Sequence, residues 1–236
     1  VQYHYPLPIK PASGKVDIPY NGNFTLRDDF EKDKLHPSWF FLRTPHEKWY
    51  DLSVKEGFIS MKLKPETCSG KMNPSFIARR QQHSKGYGMV SFNFVPKSQN
   101  EKAGLVIFQD ETHFYYLCKS INETGGTIEL YKSSEDGAKN NMELLVSKQL
   151  SDYPPEGNLI LKIEVNGGEY SFYYGERVNE LNLLKDKVDA TFLSIKKAWG
   201  FTGNVYAMYA TSLGRPSDNR ACYDWFEYNG NDTIYK

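Results

Sequence analysis

A chain of 236 residues that is 39% hydrophobic and 15% aromatic (17 Tyr, 14 Phe, 4 Trp) carries ample material for an ordered core, which excludes a disordered or fibrous chain. Lys plus Arg and Asp plus Glu both number 29, so the formal net charge is zero and the balance gives no support to a nucleic-acid or anionic-membrane partner. No apolar run reaches the roughly 18 residues of a bilayer span, and a soluble protein without a membrane span is expected.

Residues 1–23 hold Pro6, Pro8, Pro11 and Pro19 among Tyr3, Tyr5 and Tyr20. Prolines at that density prevent helix and central strand alike, so this stretch reads as an extended strap or linker laid over a surface. From Phe24 onward the pattern has a period of two. Ile59, Met61 and Leu63 alternate with Ser60, Lys62 and Lys64, and Val90, Phe92 and Phe94 alternate with Ser91 and Asn93. Leu159, Leu161, Ile163 and Val165 follow, then Tyr170, Phe172 and Tyr174, then Val205, Ala207 and Tyr209, and last Tyr223 and Trp225. Such alternation marks half-buried strands of antiparallel sheets. Turns are expected at Glu123-Thr124-Gly125-Gly126 and at Asn166-Gly167-Gly168, where Asn and Gly tolerate positive φ. The best helical stretch is 178–188, through Leu181, Leu184 and Val188. Ten to fourteen strands without βαβ alternation predict an all-β, two-sheet antiparallel sandwich, with residues 24–236 as a single domain.

Chemistry-bearing patterns are sparse. The three cysteines, Cys68, Cys118 and Cys222, form no C-x-x-C, and Cys118 and Cys222 read as buried apolar fillers. The five histidines have no i,i+4 spacing, which leaves no catalytic metal site to build from them. Glycoside hydrolysis needs two carboxylates held several ångströms apart. The nearest approach, Asp224 and Glu227, lies on opposite faces if the strand is regular, and Asp28 and Asp29 split likewise. No catalytic residue is therefore assigned within the chain. The densest polar run is Arg79-Arg80-Gln81-Gln82-His83, whose planar groups suit paired sugar hydroxyls; the simpler reading is one buried, paired arginine and a solvated remainder. Trp39, Trp49 and Trp199 fall in or near expected loops, where an exposed ring could stack on a sugar.

Several runs, in order, resemble the C-terminal β-sandwich attached to family 43 glycoside hydrolases, the β-xylosidase and α-arabinofuranosidase group. Leu26-Arg27-Asp28-Asp29-Phe30, Leu35, Trp39 and Leu42-Arg43-Thr44-Pro45 resemble its opening, and Pro74-Ser75-Phe76-Ile77-Ala78-Arg79-Arg80-Gln81-Gln82-His83 its most distinctive run. Ala103-Gly104-Leu105-Val106, Phe108-Gln109, Phe114-Tyr115-Tyr116-Leu117, Phe201-Thr202-Gly203 and Ala221-Cys222-Tyr223-Asp224-Trp225-Phe226-Glu227-Tyr228 continue it. The resemblance implies a concanavalin-like jelly roll packed against a five-bladed propeller glycosidase domain, in cis or as a separate chain, with the catalytic carboxylates on the propeller. It also implies that Phe201, beside Trp199, reaches across to shape a xylose or arabinose pocket. A structural Ca²⁺ joining Asp28 or Asp29 to Asp224 is a further implication, and no organic cofactor is expected. Binding of xylan- or arabinan-type plant cell-wall oligosaccharide by the sandwich itself is the alternative function, and a free-standing glycoside hydrolase is the further one.

Overall fold

A computed structural model describes residues 22–134, 139–151, 153–200 and 203–235. In chain order the strands are β1 Thr25–Asp28, β2 Phe40–Phe41, β3 Tyr50–Asp51, β4 Ile59–Lys62, β5 Ser75–Arg80, β6 Lys85–Asn93, β7 Lys102–Asp110 and β8 His113–Asn122. They continue as β9 Gly125–Ser133, β10 Met142–Gln149, β11 Asn158–Asn166, β12 Glu169–Gly175, β13 Asn182–Asp189, β14 Val205–Thr211 and β15 Arg220–Gly230. One sheet runs β13-β12-β11-β6-β15-β4-β3, with β1 also on β15; the other runs β10-β9-β8-β7-β14-β5-β2. Every ladder between these strands is antiparallel. The all-β sandwich read from the alternation is the fold observed.

The two larger of three apolar clusters among the described residues hold it together. Between the sheets, Val90, Phe92, Leu161, Ile163, Phe172, Tyr223 and Phe226 meet Ile77, Leu105, Ile107, Leu117, Ile128, Leu130, Tyr206 and Met208. Each such side chain contributes about 1.5–3 kcal/mol when fully buried, which makes this layer the main source of stability. The second cluster lies on the outer face of the seven-stranded sheet, where Phe76, Val106, Phe108, Phe114, Tyr116 and Tyr209 pack with Cys68, Phe40 and Leu42. Strands β7 and β8 are therefore buried on both faces, and their sequences read as continuous apolar runs.

Both expected turns close hairpins: Asn122 pairs with Gly125, and Asn166 with Glu169 around Gly167 at φ 62°. The helical reading of 178–188 is corrected. Residues 182–189 form β13, which pairs with β12 through two register irregularities. Its exposed edge carries Lys185, Asp186 and Lys187, and Leu183 is half exposed, so the apolar spacing there never served a helical face. The one α-helix among the described residues is α1, Ile195–Ala198, and no helix of theirs is long and apolar enough to cross a membrane. Of the strap expected over residues 1–23, only Gly22 and Asn23 are described.

Candidate interdomain end of the sandwich

The polar run after Ile77 folds into a knot. Arg79 keeps the inward parity of Ile77, is buried, and holds its guanidinium 5.4 Å from the Trp39 ring centroid. Arg80 turns outward over Phe40. Beyond β5, the Gln81 N–H donates to the Asn204 carbonyl (2.9 Å), and the Gln81 side-chain oxygen accepts from the Tyr170 hydroxyl (3.2 Å). Tyr170 in turn accepts from Asn204 Nδ2. The Gln82 N–H donates to the Tyr228 hydroxyl at 2.9 Å. His83 is buried, with Nε2 2.8 Å from the Gly22 carbonyl and Nδ1 2.8 Å from the Tyr228 hydroxyl. A carbonyl only accepts, so Nε2 carries a proton, and in the neutral ring the Tyr228 O–H donates to Nδ1 while accepting from the Gln82 N–H. A Cβ on Gly230 would sit 2.0 Å from Nδ1, so glycine is required there.

The same knot ties the segment entering β1 to the segment leaving β15. Asn23 and Asp232 exchange hydrogen bonds, Asn23 Nδ2 to the Asp232 carbonyl and the Asp232 N–H to Asn23 Oδ1. The Asp232 carboxylate accepts from Ser84 Oγ and from the N–H groups of Ser84 and Lys85. Burial works to raise its pKa, but these hydrogen bonds outweigh it and hold the group below the ordinary aspartate value. Stability from a lowered carboxylate is fully present above about pH 3.9 and is lost as pH falls through the lower folded value. Asp232→Asn is accordingly expected to melt a few degrees lower at neutral pH and to show a flatter acid limb in a melt-versus-pH series. An unchanged acid limb would count against this role.

The end of the sandwich that carries the knot also carries the two most exposed large apolar side chains among the described residues, Trp199 and Ile234. α1 ends on Trp199 in the left-handed region (φ 52°), and that residue is 92% exposed, beside Ile195 at 56%. Ile234 and Tyr235, just past β15, are 81% and 54% exposed. Asn204 links the loop after Trp199 to Gln81. Phe201 lies outside the described residues. The five polar residues thus do not converge on one groove: Arg79 and His83 are buried, Arg80 and Gln82 face outward, and Gln81 joins the Tyr170–Asn204 network. Of the three tryptophans read in or near loops, Trp39 and Trp49 are buried, at 6% and 1%, and Trp199 is exposed; Trp39 Nε1 donates to Asp28 Oδ2 at 2.7 Å.

The candidate calcium ligands have separate partners. Asp28 accepts from Trp39 and from the Phe30 N–H, Asp29 pairs with Arg27, and Asp224 accepts from Ser91 and Asn158. Asp28 shares register with core-facing Phe226, whereas Asp224 meets Ser91 on the outer face. Among the described residues no group of three or more His, Cys, Asp or Glu is placed to hold a metal. The calcium expectation rests on the resemblance alone. The parity argument for Asp224 and Glu227 is corrected. Register shifts between Tyr223 and Trp225, so Asp224 is an extra, bulged residue and both carboxylates end on the outer face. Glu227 accepts there from the Tyr87 hydroxyl at 2.7 Å.

Residues 27–229 match the family model of the beta xylosidase C-terminal Concanavalin A-like domain. The chain belongs to this family. This concanavalin-like domain is 28% identical over 228 residues to a non-reducing end α-L-arabinofuranosidase of Bacteroides ovatus, covering 97% of the chain and 40% of that protein. It is 26% identical over 230 residues to a xylosidase/arabinosidase of Butyrivibrio fibrisolvens, covering 92% of the chain and 43% of that protein. A solved structure of GH43B from the Bacteroides ovatus xyloglucan locus superposes with a TM-score of 0.79 at 28% identity, covering 96% of the chain and 42% of its own. The chain therefore spans about two fifths of the relatives it matches.

Sequence reading of the concanavalin-like domain missed Tyr170, Asn204, Gly22 and Asp232, which converge on the knot only through long-range pairing. The bulge did leave a signal: Trp225 and Phe226 are adjacent apolar residues in an otherwise alternating strand, and one of them has to face outward.

Proposed function

We propose that this chain is the accessory sandwich of a family 43 glycoside hydrolase, that its knot-bearing end packs against a five-bladed propeller catalytic domain, and that the loop from Trp199 to Gly203 shapes the propeller's xylose or arabinose pocket. The observation that carries this reading is Trp199, 92% exposed on a fixed helix cap, at the end where Gly22 enters the fold. A large aromatic ring left in water has much to gain from a partner surface, since tryptophan buries some 150–250 Å² at about 25 cal/mol per Å². The names of the relatives, arabinofuranosidase and xylosidase/arabinosidase, supply the substrate class. Asp224 and Glu227, which end on the same outer face, are held by Ser91, Asn158 and Tyr87.

The test uses the polypeptide that includes the propeller. Phe201→Ala and Trp199→Ala should each lower kcat/KM on aryl xyloside or arabinofuranoside by about tenfold to a hundredfold, the cost of a misplaced pocket wall. The melt of the sandwich should stay within a degree or two. Full activity in both variants would remove the proposal. Saturable binding of xylo- or arabino-oligosaccharides by the 236-residue chain alone would favour a carbohydrate-binding module instead.

A further inference from the structure

Lys119 stands where a core residue belongs. On β8, Tyr115 and Leu117 point between the sheets while Phe114, Tyr116 and Cys118 point out, so Lys119 takes the inward parity. Its cross-strand neighbours, Ala103 and Ile128, are both members of the inner core. The residue is 4% exposed, and its ammonium donates to one partner, the Pro155 carbonyl, at 2.9 Å. An ammonium has three N–H donors, and burying one without a counterion costs several kcal/mol. Among the described residues no carboxylate offsets that cost, and burial lowers the lysine pKa to about 8.

The ammonium borders a cleft of about 360 Å³ at the end of the sandwich opposite the His83 knot. The walls are Val95, Pro96, Ile121, Leu150, Pro154 and Pro155, with the hydroxyls of Thr124 and Ser151 at the rim. No acidic side chain lines it among the described residues: Asp152, between the lining residues Ser151 and Tyr153, lies outside them, and Glu156 is exposed and lends its backbone carbonyl to Asn93. The frame is fixed. Leu150 N–H and Gln149 Nε2 both donate to the Gly126 carbonyl, and two successive prolines restrict the backbone that presents the Pro155 oxygen.

We propose that this cleft is a binding site for a small organic monocarboxylate, whose charge meets Lys119 and whose flat apolar body fills the Val95–Leu150 side. One cation with two spare donors suits a single carboxylate, and a phosphate dianion would ask for more. A sugar would leave most of its hydroxyls against apolar walls. The volume suits a ligand with one ring, being near the lower limit of ordinary ligand pockets. The site lies away from the proposed docking end and stands or falls independently of it.

Benzoate and its neutral isostere benzamide are the probes, titrated into the 236-residue chain at pH 7 while the methyl resonances of Val95, Ile121 and Leu150 are followed. Benzoate should give saturable shifts confined to these residues and bind about tenfold or more tightly than benzamide, as expected for a charge-assisted hydrogen bond. Lys119→Met, which keeps the apolar stem, should abolish the preference and melt no lower than the native chain. In the native chain the preference should also shrink as pH rises past about 8 and the amine loses its proton. Absence of saturable shifts, equal affinity for the two probes, or a preference that survives either Lys119→Met or high pH would overturn the proposal. Should the variant fail to fold, the pH series on the native chain decides alone.

Discussion

Gly104→Ala should lower the melting temperature by about 6–12 °C, because overpacking costs up to about 3 kcal/mol and each kcal/mol moves a domain of this size by about 2–4 °C. Gly104 lies in β7, between β8 and β14. A Cβ there would stand 2.2 Å from the Leu117 carbonyl oxygen and 2.8 Å from Cys118 Cα, both backbone atoms of the adjoining strand. A side-chain neighbour could swing aside, but a ladder partner cannot move without opening hydrogen bonds along β7 and β8. The Gly104 carbonyl also accepts from the Tyr223 hydroxyl at 2.8 Å, a bond that ties the two sheets together across the core. Gly168→Ala is the control, since its Cβ would meet nothing nearer than Thr191 Cγ2 at 4.0 Å. A thermal melt in which the two variants differ by less than a couple of degrees would refute the close-approach argument.

The strands were legible because they are half-buried, and half-burial writes itself into sequence as alternation. Leu159, Leu161, Ile163 and Val165 fall on one face of β11, with Lys162 and Glu164 on the other. Legibility failed wherever a face departs from that rule. The 178–188 stretch is an edge strand with irregular register, so its few apolar residues mimic a short helical face. Asp224 is itself an extra, bulged residue, and every parity inference beyond it inverts. Trp39 and Trp49 lie outside long strands, yet both are buried, because loop segments cover the sandwich. The knot was partly visible: the run through His83 stood out by its density, but its function as a tie between Gly22, Tyr228 and Asp232 depends on separations of 61 to 148 residues. Lys119 was invisible, since a lysine in an apolar run is indistinguishable from a solvated one until the parity of the strand is known.

The second large effect concerns the outer face of the seven-stranded sheet, where Lys102 Nζ lies 2.6 Å from Glu129 Oε2 with side chains only 5% and 10% exposed. The pair is fully furnished. Lys102 also donates to Ser120 Oγ at 3.0 Å, and Glu129 accepts from Thr127 Oγ1 at 3.0 Å and from the Tyr131 hydroxyl at 2.8 Å. Burial, with Cys118 and Glu129 nearby, pushes the Tyr131 phenol well above its usual value, so it remains a donor throughout the working pH range. Removing one partner strands the other charge at a site where the side chains are at most a tenth exposed, and Glu129→Ala should cost about 3–5 kcal/mol at neutral pH. The attraction itself is a smaller quantity, since desolvation of both ions opposes it. Lys102→Met with Glu129→Leu should therefore recover most of the loss, and both should be measured by denaturant unfolding against the single variants. If Glu129→Ala unfolds within about 1 kcal/mol of the native chain, a value typical of exposed pairs, then water reaches Lys102 and the pair is not the buried device its geometry describes. If instead the double variant is no better than Glu129→Ala, the loss comes from the cavity and the orphaned Thr127 and Tyr131 hydroxyls rather than from the unpaired ammonium.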